Sequence, residues 1–159
     1  MEPNNLHSGN AIWDDGEWVS WDEINRHIHH SDEGDLLAQM IQLAKDYLDF
    51  TGRPLPIYGE IGELFAERRY EFERHSPGAQ GSDGRLMDDF VEVKTITPFK
   101  SNDVVTVKRD GHFNKLVIVR IDEDHRIDSR IIDRKNLPKV SGKLLKVSWD
   151  QLRPPKQDA

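Results

Sequence analysis

The chain has 159 residues, 32% of them charged and 8% aromatic, with no cysteine and a formal net charge of −7. This length predicts one domain with a small appendage, large enough to bury a core without covalent staples. The missing cysteines exclude a disulfide scaffold, a thiolate zinc site and a cysteine nucleophile. No run of about 18 apolar residues occurs, and the polar stretch Met1–Asn10 has no apolar signal core, so a cytoplasmic protein without membrane contact is expected.

In chain order, Asp15-Gly16 between apolar flanks is a hairpin-turn signal, and Ser20-Trp21-Asp22-Glu23 reads as a capping box opening a short helix through Ile24 and Ile28. Residues 1–30 are therefore expected to form a separate hairpin-helix lobe. Its three tryptophans pack as a satellite core or offer a stacking surface. The lobe is also the candidate contact for a homodimer or a protein partner. Ser31 opens a second helix with Leu36, Leu37, Met40, Ile41, Leu43, Ala44, Tyr47 and Leu48 at helical spacing, stopped by Gly52 and Pro54. A third helix is predicted from about Gly59 to Arg74, with Ile61, Leu64 and Phe65 on its apolar stripe, broken by His75-Ser76-Pro77-Gly78.

After Gly78 the period changes. Arg85–Met87 and Phe90–Ile96 flank Asp88-Asp89 as a tight β-hairpin. Val104–Val107, Leu116–Val119, Ile127–Ile132 and Leu144–Val147 read as further strands, and Ser148 caps a last turn. Helices followed by strands give an α/β fold with an α+β layout and a central sheet over residues 31–153, with 154–159 as a tail.

Charge is uneven along this plan. Residues 1–93 carry 7 Lys and Arg against 20 Asp and Glu, a balance of −13; residues 94–159 carry 15 against 9, a balance of +6. The reading is an acidic helical layer and a basic edge, or simply two solvated faces.

The predicted hairpin carries the chemistry. With Asp88 and Asp89 as a two-residue loop, Asp83 lies opposite Lys94 and Arg85 opposite Glu92. Asp83, Glu92 and Lys94 then share one face of the sheet, while Gly84, Leu86, Val91 and Val93 face the core. Two carboxylates with backbone carbonyls suit a hard cation such as Mg²⁺. The cation stabilises phosphate charge and acidifies bound water, and the lysine positions or deprotonates that water. Taken singly, Asp83 is an ordinary turn residue, Glu92 and Lys94 an edge-strand pair, and Glu60, Glu63 and Glu67 a solvated helix face.

Together, Glu92-Val93-Lys94 on a strand, an Asp in the Gly81-Ser82-Asp83-Gly84 turn, and Gly59-Glu60-Ile61-Gly62-Glu63 opening a helix resemble the PD-(D/E)XK nuclease superfamily over about residues 58–120. One departure is serine at position 82, where many members have proline. The resemblance implies a restriction-endonuclease-like mixed sheet flanked by helices and Mg²⁺- or Mn²⁺-dependent cleavage of nucleic acid, with DNA the expected substrate, by an endonuclease or exonuclease. It implies Asp83 and Glu92 as metal ligands, Lys94 as the water-positioning base, and Glu63, or as second choice Glu60, as the helical carboxylate completing the catalytic and metal set. The alternative is a non-catalytic binding or regulatory module on the same fold. Lys100, Lys108, Arg109 and Lys115, which follow the active strand, are the candidate phosphate contacts. His27-Ile28-His29-His30 lacks the further ligands that zinc chemistry needs.

Overall fold

The computed structural model describes residues 11–14, 17–20 and 33–152, with side chains from residue 36 onward. The predicted helix after Ser20, the Asp15-Gly16 turn, the tryptophan packing, the Ser31 cap, the His27–His30 group and the tail from 154 lie outside these residues. By backbone proximity the chain divides into units 1–39 and 40–159.

In the first unit, β1 (Ala11–Asp14) and β2 (Glu17–Ser20) pair antiparallel, with Trp13 opposite Trp18. The hairpin predicted there is present. The division between units falls within helix α1 (Glu33–Thr51). Gly52, with φ of 68°, accepts the left-handed conformation that closes α1, and its N–H donates to the Leu48 carbonyl at 2.7 Å.

The second unit is a mixed α/β structure. Helix α2 (Tyr58–Tyr70) is followed by β3 (Glu73–Arg74), β4 (Gly84–Leu86), β5 (Asp89–Ile96), β6 (Val104–Lys108), β7 (Lys115–Ile121), β8 (Ile127–Asp133) and β9 (Leu144–Ser148), with short 3₁₀ turns at Arg134–Asn136 and Trp149–Leu152. The main sheet has the order β3-β4-β5-β7-β8, and β6 and β9 form a separate ribbon. Among the described strands of this unit only β5 and β7 run parallel; every other pairing is antiparallel. No helix among the described residues is long and apolar enough to cross a membrane.

Alternation along β5 and β7 builds two cores. Val91 and Val93 are buried on the face where α2 lays Tyr58, Ile61, Gly62, Leu64 and Ala66 against β5 and β7. On the other face, Ile96, Leu116 and Ile118 pack with Val105, Val107, Leu145, Val147 and Trp149 from the ribbon and its 3₁₀ turn. β7 is buried from Leu116 through Val119 because it has a layer on both sides.

Two predicted boundaries move. The helix predicted to Arg74 ends at Tyr70, where Glu71 takes φ of 54°, and Phe72 turns into the core instead. Arg74 consequently stands on a strand, opposite Gly84. The hairpin loop is Met87-Asp88 rather than Asp88-Asp89, because Leu86 pairs with Asp89. Met87 takes φ of 54° at the first turn position, the sign a two-residue hairpin requires.

Candidate active site

The register error is two residues, not one, and its consequence follows from the period of a strand. A slip of one inverts every side chain, whereas a slip of two preserves the faces. The pairing seen, Gly84 with Val91 and Arg85 with Phe90, ends at Gly84, so Asp83 has no ladder partner and does not stand opposite Lys94 as the two-residue loop predicted.

Asp83 sits where β4 parts from β5. Its N–H donates to the Val91 carbonyl at 2.9 Å, although Gly84 already stands opposite Val91. Two successive residues thus engage one partner, as in a β-bulge, a device that re-aims a side chain. The Asp83 carboxylate Oδ2 accepts the Val93 N–H at 2.7 Å. Beyond Val91 there is no β4 residue to pair with, so this carboxylate satisfies a strand N–H that the fork would otherwise strand. N–H and C=O of one strand residue point the same way, so the Val93 carbonyl also faces the fork.

Glu92 and Lys94 occupy the opposite face of β5 from Val91 and Val93, beside the buried Leu116 and Ile118 of β7. Lys94 Nζ lies 2.6 Å from Glu92 Oε1, and the glutamate side chain is only 17% exposed. That partial burial makes the ion pair stronger than one in open water.

Helix α2 supplies the third carboxylate. Gly62 fits α2 closely to β5, since a Cβ there would collide with the Thr95 side chain. Glu63, the next residue, is half-buried and its carboxyl is pushed above the usual carboxylate range. Burial is the main cause, followed by the negative charges of Asp83 and Glu60; Arg74 and Lys94 pull it back. Glu63 therefore feels both Asp83 and Lys94. Arg74, a residue the sequence did not single out, ties the acidic helix face together: its guanidinium is 2.8 Å from Glu67, 3.4 Å from Glu60 and 3.8 Å from Glu63. Its signal was hidden because it was read as the end of the helix rather than as a strand residue facing it.

The four basic candidates separate. Lys108 and Arg109 are exposed on a concave surface of about 730 Å³ that Lys115 also lines. Lys115 is committed there to Asp133 at 2.6 Å and Asp89 at 3.4 Å. The Asp133 hydrogen bond is the main cause that raises the Lys115 pKa, and the same bond lowers that of Asp133. Lys100 lies elsewhere, on a smaller cavity of about 290 Å³ shared with Asp103, Asp122, Glu123 and Asp124.

The fold and site define a mixed α/β unit with a carboxylate–lysine pair and Asp83 at a strand fork, and with Glu63 on a helix that packs on the other face of β5 from Glu92 and Lys94. No family model matches the chain, and no curated protein matches it.

Proposed function

We propose that this protein is a metal-dependent nuclease that hydrolyses phosphodiester bonds in DNA, on a sheet of the restriction-endonuclease type. The observation that carries the reading is the strand fork. There the Asp83 carboxylate accepts the Val93 N–H between Glu92 and Lys94, Lys94 lies 2.6 Å from Glu92, and Glu63 is coupled by charge to Asp83 and Lys94.

The donor set fits Mg²⁺ or Mn²⁺. Asp83, Glu92 and the Val93 carbonyl offer hard oxygen atoms, with Glu63 approaching from the helix. Among the described residues no three His, Cys, Asp or Glu side chains converge as a ready-made cage. A Mg²⁺ ion keeps several waters and needs only one or two protein carboxylates. Such an ion supplies charge for the phosphoryl oxygens and acidifies water. The protein's own groups do the rest. Asp83 is fixed by its hydrogen bond to the β5 backbone, so its remaining oxygen is presented without rotamer search. Lys94, held by Glu92, keeps an ammonium beside the reacting phosphate, where it orients the attacking water and offsets developing charge. Glu63, with its raised pKa, is a carboxyl that can take up the proton of that water.

The test is thermal unfolding with and without 5 mM Mg²⁺ or Mn²⁺. Wild type is expected to be stabilised, as any ligand of the native state stabilises it, and Glu92→Gln to fold normally but lose the metal-dependent rise in Tm. An equal rise in both proteins would place the ion elsewhere. A wild type indifferent to metal would favour the non-catalytic binding module, in which the Glu92–Lys94 pair is simply self-neutralised.

A further inference from the structure

A concave surface lies between the β6–β9 ribbon and the segment that follows β8, and its charge runs against that of the whole chain. Its two carboxylates, Asp89 and Asp133, are both held by Lys115. Arg134 also lines it, but its guanidinium lies over the Phe113 ring and donates to the carbonyls of Arg109, Gly111 and Phe113. The remaining cations stand on two walls. Lys108 and Arg109 end the ribbon strand β6, and Lys135 and Lys139 follow β8; all four are exposed. Lys108, Arg109 and Lys139 have no carboxylate partner among the described residues, and Lys135 has only a 3.9 Å approach to Asp133. Between the walls Val140 is exposed, and Leu137 and Leu145 close the floor.

We infer that this groove binds a single nucleic-acid strand. For the identity of the ligand the inference rests on the nuclease reading; the groove itself is an independent observation. Cations on two opposed walls fit a backbone of repeated phosphates, and a partly apolar floor fits unpaired bases rather than a paired helix. The size points the same way. A cavity of about 730 Å³ is within the roughly 300–1,000 Å³ that encloses a small molecule. It takes a flexible strand a few atoms at a time. Asp89, which lines the groove, starts β5, and Glu92 follows three residues later on the same strand, about 10 Å along at about 3.3 Å per residue and on its opposite face.

The experiment is fluorescence anisotropy in EDTA, so that binding is read without cleavage. The probes are labelled dT12, the dT12·dA12 duplex, and unlabelled ATP as competitor. The proteins are wild type, the surface variant K108E/K139E and its milder form K108Q/K139Q. Wild type is expected to bind dT12 more tightly than duplex. The slope of log K against log salt should approach −2.8, about −0.7 for each of four neutralised phosphates on a single strand. K108E/K139E is expected to lose at least tenfold in affinity and about half of the slope, and K108Q/K139Q to lose less. The inference is overturned if both lysine variants keep wild-type affinity and slope, if duplex binds as tightly as dT12, or if ATP competes at the concentration of dT12 itself. Strand binding through the groove by a protein that cleaves nothing would leave the groove standing and remove the nuclease reading. Cleavage with a dispensable groove would do the opposite.

Discussion

At the scale of single residues, the site is held in an electrostatic balance that its carboxylates alone would not reach. Glu63 is half-buried beside Asp83 and Glu60, and its proton affinity is raised accordingly. A carboxyl whose folded pKa lies above its unfolded value favours the folded state most when it is protonated. Its contribution is complete below the unfolded value and is lost as pH rises through the folded one. At neutral pH the ionised Glu63 is thus a liability in the metal-free protein. Glu63→Gln is expected to leave stability unchanged or raise it at pH 7, and to bring no such gain at pH 4. Urea denaturation at the two pH values checks this. A Glu63→Gln protein that is less stable at pH 7 and equal at pH 4 would show that the Arg74 ion pair, at 3.8 Å, outweighs burial and the neighbouring acids.

At the scale of elements, the positions of these charges depend on how closely α2 meets β5 and how β4 leaves it. Gly62 has no room for a methyl group against Thr95, whereas Gly59, one turn earlier, has nothing within 4 Å of where a Cβ would be. Gly62→Ala is expected to destabilise by about 1–3 kcal/mol through overpacking, and Gly59→Ala to be neutral or stabilising by about 0.5–1 kcal/mol through helix propensity. Paired thermal melts decide, and equal effects at both positions would mean that α2 does not sit where its contacts put it. Much at this scale was legible in the sequence. Strands β6 to β9 fall where apolar runs bounded by turn residues put them, and Glu92 and Lys94 share a face because they stand two apart on one strand. The helix end and the loop were not legible. Glu71 and Met87 take positive φ, which their side chains do not advertise, and tertiary packing of Phe72 and pairing of Asp89 override the local signals. The apolar pattern of α1 was read as one stripe and divides into two. Leu37 and Ala44 are buried, while Leu43, Tyr47 and Phe50 are exposed, Phe50 at 93%. Periodicity reports that a face is apolar but not what covers it.

At the scale of the whole molecule, the uneven charge seen along the sequence is also uneven in space. The acidic residues of the first 93 include the helix face clamped by Arg74 and the carboxylates of the fork, and the four exposed cations of the groove all come from the basic remainder. A net charge of −7 therefore does not describe what a polyanion would meet at that surface. The central claim is that the fork is a hydrolytic centre, and the measurement that tests it most directly is cleavage of supercoiled plasmid and of a labelled single-stranded oligonucleotide by wild type, Lys94→Ala and Glu92→Gln in 5 mM Mg²⁺ or Mn²⁺. Lys94→Ala should keep the metal-dependent rise in Tm yet lose at least about 100-fold in cleavage rate, the usual scale for a positioned acid–base group. Glu92→Gln should lose both, and EDTA should silence wild type. Cleavage by Lys94→Ala at the wild-type rate, or no cleavage of either substrate by a wild type that binds the metal, would contradict the account.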